Sequence, residues 1–197
     1  LPLNGTKEGI FTSHLALLDP KAEKRVVVAF SPEYPVYAEG IRYAGGIHQP
    51  LTLTRANGFL PDLAALKPGL LEKTAALWVN YPHNPTGAEA GPDLYRALRG
   101  LARKYDFVLC SDECYADLYF ERPSPSVLVA EDAPDFKNLL VFHSCSKRSS
   151  MTGYRSGFVA GDPQLIAALA RFRPSVGVAS PDFVQAVARA AWSDDAH

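Results

Sequence analysis

Residues 92–112 read PDLYRALRGLARKYDFVLCSD, and a change of period inside this stretch decides the architecture. Between Pro92 and Tyr105 apolar side chains recur three and four residues apart, the spacing of one helix face, and the opening proline sits where a first-turn residue has no hydrogen bond to lose. Past Asp106 the pattern becomes a short continuous apolar run, residues 107–111, closed by Asp112. A run of this kind reads as a strand buried on both faces, the usual condition of strands in a parallel sheet.

Working outward, similar runs occupy residues 25–30, 47–53, 75–81, 139–144 and 157–160, and helical periodicity fills residues 6–18, 163–172 and 181–192. Prolines open the last two of these helices as well. The alternation of strand and helix signals βαβ units, so the chain is expected to be α/β, a mostly parallel sheet with helices on both faces. There is no internal repeat, and the proline-containing stretches 120–126 and 132–135 are too short to link domains, so residues 1–197 read as one unit. The chain opens at Leu1 inside a strand-to-helix junction and stops just after a helical segment, so it reads as a piece of a longer protein.

With 47% hydrophobic and 21% charged residues the chain can bury a real core. A net charge of -1, with no basic face, excludes the footprint of a nucleic-acid or membrane-surface binder and leaves a small molecule as the expected partner. No apolar run approaches the roughly 20 residues needed to span a bilayer, and no signal core stands at the N-terminus. Cys110, Cys114 and Cys145 are odd in number and lack a Cys-x2-Cys pair, which points to reduced thiols and a cytoplasmic setting.

In open α/β sheets ligands bind beyond the carboxyl ends of the strands, and polar clusters stand at those positions. Asn80-Tyr81-Pro82-His83-Asn84-Pro85-Thr86-Gly87 is a turn-rich loop that projects one amide, Asn84; alone it is an ordinary turn. Asp112 closes its strand three residues before Tyr115, as a helix cap or turn residue, or as a buried acid facing a cationic ring nitrogen. Ser144-Cys145-Ser146-Lys147 follows the next strand, with Arg155 eight residues beyond the lysine; a single strand-end lysine is usually solvated, and the spacing is what gives this one weight. Asn4-Gly5-Thr6-Lys7-Glu8-Gly9 opens the first helix, whose free N–H groups suit either a plain helix start or a phosphate.

Read together and in this order, the clusters resemble the large domain of the fold-type I, class I/II pyridoxal-phosphate aminotransferases, with the aspartate-aminotransferase-like fold. The resemblance runs through essentially the entire chain, and it implies that residues 1–197 form the cofactor-binding large domain, without the family's N-terminal arm and C-terminal small domain. Carried over residue by residue, it makes Lys147 the Schiff-base lysine and Asp112 the partner of the pyridine nitrogen. Tyr115 and Asn84 become hydrogen-bond partners of the ring 3′-oxygen, and Tyr34 the aromatic ring stacked on the pyridine, against its plainer reading as a core aromatic. Ser144, Arg155 and the backbone of Gly5, Thr6 and Lys7 would hold the phosphate. Lys147, Asp112 and Tyr115 are thus the candidate catalytic residues.

Within the family, residues 143–162 and 3–8 are similar to N-succinyldiaminopimelate aminotransferases, although Cys145 stands where leucine is usual and Met151-Thr152 replaces a proline-containing turn. The implied reaction is ping-pong transfer of an amino group between an amino acid and a 2-oxo acid by a homodimer. A C–S β-lyase with the same cofactor residues, and a non-catalytic cofactor-binding regulator domain, remain alternatives. The arginine that holds the substrate carboxylate in this family has no counterpart in residues 1–197.

Overall fold

The computed structural model of the protein describes residues 1–129 and 135–196. Its strands are β1 (Pro2–Leu3), β2 (Val26–Ser31), β3 (Ile47–Thr52), β4 (Thr74–Asn80), β5 (Val108–Asp112), β6 (Leu139–Ser144) and β7 (Gly157–Gly161). Its helices are α1 (Thr6–Leu17), α2 (Val36–Tyr43), α3 (Pro68–Leu71), α4 (Pro92–Tyr105), α5 (Cys145–Arg148), α6 (Pro163–Phe172) and α7 (Asp182–Trp192). Among the described residues the strands form one seven-stranded sheet in the order β1-β7-β6-β5-β4-β2-β3.

Strands β3, β2, β4, β5 and β6 are parallel, as expected, with β3 at one edge of the sheet. β7 runs antiparallel to β6, and β1 antiparallel to β7. The reason is the connection between β6 and β7: residues 145–156 hold only α5 and a 3-10 turn, and they double back at one end of the sheet without the crossover helix a parallel partner needs. The proline-containing stretch 132–135 falls, except for residue 135, outside the described residues.

Strand alternation divides the core in two. Val27, Ala29, Ala76, Trp78, Cys110, Leu140 and Phe142 pack with residues of α1, α2 and α6 on one face. Val28, Phe30, Leu77, Val79, Leu109, Leu139 and Val141 pack with Tyr95, Leu98 and Ala102 of α4 on the other. Helices therefore cover both faces. Helix α4 stops at Asp106, which adopts a left-handed φ of 54° and is the point at which the period changes in the sequence. Pro181 is the N-cap of α7, one residue outside the first turn.

Candidate active site

The side chains that face α1 and α2 continue in phase to the strand ends, where they turn polar. Asn80 pairs in register with Asp112 across β4 and β5, and Ser144 closes β6 with the same parity as Leu140 and Phe142. The odd-parity neighbours do a different job. On the α4 side the buried Glu113 accepts from Ser111 Oγ and from the Val127 backbone N–H, each at 2.9 Å, and lies 3.2 Å from His143 Nε2. This pins the chain leaving β5 to the far side of the sheet and leaves Asp112 facing the cleft.

The cleft has a volume of about 300 Å³, and Thr6, Lys7, Tyr34, Asn84, Asp112, Tyr115, Ser144, Lys147 and Arg155, all singled out from sequence, line it. Gly5 does not line it. With φ +78° it is the N-cap of α1, and a Cβ there would stand 2.1 Å from Arg155 Nη2, so its missing side chain is the space the guanidinium occupies. Because glycine gives the helix no side-chain cap, the first-turn N–H groups beside that guanidinium are left for a ligand.

Asp112 is buried, accepting from Tyr37 Oη at 2.8 Å and from the Cys114 N–H at 3.2 Å. Burial pushes its carboxyl above the usual range, and the hydrogen bonds from Cys114 and Tyr37 pull it partly back. Behind it Tyr37 is stacked on Trp78 with ring centroids 4.8 Å apart, and Trp78 Nε1 donates to His14 Nε2 at 2.8 Å. Burial lowers His14 to about 4, which keeps that imidazole neutral and able to accept. Across the cleft Lys147 Nζ lies 5.6 Å from the Tyr115 ring centre. Burial, with Asp112 next, raises the phenols of Tyr34 and Tyr115, so both stay protonated donors.

Tyr37, Asn80, Cys114, Ser146 and Thr152 were not singled out by sequence. Asn80 donates to the Asp112 carbonyl at 2.8 Å and accepts from the Asn84 N–H at 3.0 Å, fixing the backbone at both residues. Cys114 Sγ lies 3.2 Å from Thr6 Oγ1 and ties α1 to the end of β5. The Ser144 hydroxyl donates to Ser156 O at 3.3 Å and accepts from Ser146 N at 3.1 Å, so it caps α5 and its proton is committed. The hydroxyl next to Arg155 Nη1, at 3.4 Å, is that of Ser146. Strand parity could have pointed to Asn80; only the folded chain brings Tyr37 of α2 to Asp112. Cys110, Cys114 and Cys145 are free thiols, the first and last buried.

The donor set suits pyridoxal phosphate: a buried carboxyl destabilised by its own burial faces into the cleft, a lysine stands across from it, and a guanidinium, a hydroxyl and uncapped helix N–H groups gather at one end. A cationic ring nitrogen and a phosphate dianion are the charges those two ends lack.

A family model described as "Aminotransferase class I and II" matches residues 1–197. The LL-diaminopimelate aminotransferase of Dehalococcoides mccartyi strain BAV1 is 38% identical over 192 residues, which cover 97% of this chain and 48% of that protein. Among solved structures, an aminotransferase from Neisseria meningitidis superposes with TM-score 0.94 at 33% identity, covering 100% of this chain and 51% of that one. A Thermus thermophilus structure titled probable N-succinyldiaminopimelate aminotransferase superposes with TM-score 0.89 at 29% identity, over 98% of this chain and 50% of that one. The chain spans about half the length of the curated relatives it matches.

Proposed function

The chain belongs to the class I and II aminotransferase family, whose cofactor is pyridoxal phosphate, and from that premise we propose that it forms the cofactor-holding half of an enzyme moving amino groups between amino acids and 2-oxo acids. The observation that carries this reading is the meeting of Lys147, Asp112, Asn84, Tyr115 and Arg155, from separate strand ends, in one cleft. When bound, the cofactor supplies an electron-accepting ring that eases removal of a proton from the amino acid's α-carbon.

The remaining chemistry is done by the protein. Asp112, held by Tyr37 and the Cys114 N–H, would face the ring nitrogen, whose positive charge would favour the ionised carboxylate that burial disfavours. Tyr115 and Asn84 bind the ring's 3′-oxygen, and Tyr34 covers a face of the ring. Arg155, Ser146 and the N–H groups of Thr6 and Lys7 would hold the phosphate, with Gly5 leaving room for the guanidinium; Ser144, its proton given to Ser156 O, would serve by capping the turn that carries Ser146. Lys147 would hold the cofactor through Nζ, and the same amine, when free, would accept the substrate's α-proton.

The relatives' names favour a diaminopimelate-type amino acid, the LL form being named for curated relatives such as that of Dehalococcoides mccartyi and the N-succinyl form for one structural neighbour. A ping-pong cycle, a homodimer and a cytoplasmic setting complete the reading; free thiols suit a reducing compartment. The test is to load the protein with pyridoxal phosphate, reduce with borohydride and map the labelled peptide. The label is expected on Lys147 and absent from Lys147→Ala; a label elsewhere, or none, rejects the assignment.

A further inference from the structure

His83 sits in the loop that presents Asn84, yet it is 5% exposed and makes no contact with the cleft. Its Nε2 lies 3.0 Å from the carbonyl of Pro32, and its Nδ1 lies 2.8 Å from Thr86 Oγ1. Pro32 belongs to the turn after β2 that carries Tyr34. The ring therefore bridges two loops remote in sequence, each supplying one of the groups assigned to the cofactor ring.

The proton positions follow from the partners. A carbonyl only accepts, so Nε2 carries the hydrogen and Nδ1 is bare, taking the Thr86 hydroxyl proton. Thr86 Oγ1 in turn accepts from the Ala88 N–H at 3.3 Å. The loop is closed on itself as well, by His83 N–H to Ala88 O at 2.8 Å and Gly87 N–H to His83 O at 2.7 Å. Asn80 Oδ1 holds the Asn84 N–H from behind. The Pro32 turn has a second tie, Glu33 to His48 at 2.9 Å, on its other side. His83 is the direct side-chain link between the two loops.

We propose that His83 is a positioning residue that clamps the Asn84 loop to the Tyr34 loop and so sets the gap between the amide and the aromatic ring that receive the cofactor. The inference rests on the cofactor assignment made above. Burial lowers the imidazole's pKa, which keeps the bridging tautomer in place. Glu33, Tyr37 and Tyr81 line the same small void beside it, and His48 faces it only through Glu33.

Two measurements test this. Nitrogen-15 NMR of the cofactor-free wild-type chain should show His83 neutral, with Nε2 protonated and Nδ1 bare; the opposite tautomer would overturn the clamp. Pyridoxamine 5′-phosphate, which cannot bond covalently to Lys147, is then titrated into wild type, His83→Leu, His83→Gln and His83→Asn. Glutamine brings its amide to the position of Nε2 and can still donate toward Pro32, whereas the shorter asparagine brings its amide to the position of Nδ1, beside Thr86, and falls short of Pro32. Affinity is expected to fall about ten-fold in the leucine and asparagine variants and to stay near wild type in the glutamine variant. Leucine or asparagine binding as tightly as wild type removes the clamp and leaves the cofactor assignment standing. Wild type that fails to bind overturns both. If the leucine variant does not fold, the glutamine–asparagine contrast alone decides.

Discussion

At the scale of the residue, the roles proposed above separate binding from chemistry, and substitutions should separate them too. Asp112→Ala removes the acid assigned to the ring nitrogen and leaves Arg155, Ser146 and the α1 N-terminus intact. Cofactor affinity should hold within about ten-fold while turnover falls roughly 100-fold or more; near-normal steady-state turnover would contradict the role. Gly5→Ala forces a side chain into a φ of +78° and into the place of the Arg155 guanidinium. A backbone cost of about 1–3 kcal/mol should appear in the melting curve, and affinity should drop for pyridoxal phosphate but not for unphosphorylated pyridoxal. Equal losses for the two ligands would mean the guanidinium does not meet the phosphate. That Lys147, Asp112 and Arg155 line one cleft was legible because Asp112 and the Lys147 motif each directly follow a strand and Arg155 stands eight residues beyond the lysine. Tyr37 was not, because its value lies in a hydrogen bond to a residue 75 positions away, and nothing in Val36–Tyr43 distinguishes it from a core tyrosine.

At the scale of the element, periodicity located the long helices and the strands to within a residue or two. It failed where tertiary contacts override pattern. Helix α2 is only eight residues long and carries Gly40 in its middle, so it gives a weak signal. It is stable because Tyr37 and Ile41 are buried against the sheet, and because Gly40 lets α1 approach: a Cβ there would lie 2.5 Å from His14 Nδ1. The antiparallel direction of β7 was likewise hidden, since strand direction follows from the path of the connection and not from the strand's own residues. Helix α4 offers a clean test of core packing apart from the cleft. Leu98 is fully buried, and Leu98→Ala should cost about 2–5 kcal/mol, read as a lower urea midpoint with cofactor affinity unchanged in the folded protein. A parallel loss of affinity would show that α4 shapes the site.

At the scale of the whole molecule, stability should depend on pH through its buried imidazoles. His14 has its pKa lowered to about 4 in the fold against an ordinary 6.5. Between those values the unfolded chain takes up a proton that the folded chain refuses. Its contribution is therefore fully present above 6.5, is lost as pH falls toward 4, and is on the order of 3 kcal/mol; His83 shifts in the same direction. Unfolding followed from pH 7 down to 4.5 should show this slope, and His14→Gln, which can still accept from Trp78, should flatten it. An unchanged slope would place the titration elsewhere. The fold class was readable as a whole because β2, β4, β5 and β6 are buried on both faces, whereas the pairing of His14 with Trp78 joins helix to sheet across 64 positions and leaves no trace in any window. The alternation along β5 has one more consequence. Asp112 and Glu113 are adjacent carboxylates sent to opposite sides of the sheet by the pleat and by the bonds that hold Glu113, so a one-residue slip of β5 against β4 and β6 would exchange their destinations. Ser111 or Glu113 would then enter the cleft and the aspartate would be buried against α4. The register of one strand therefore decides which carboxylate the cleft receives.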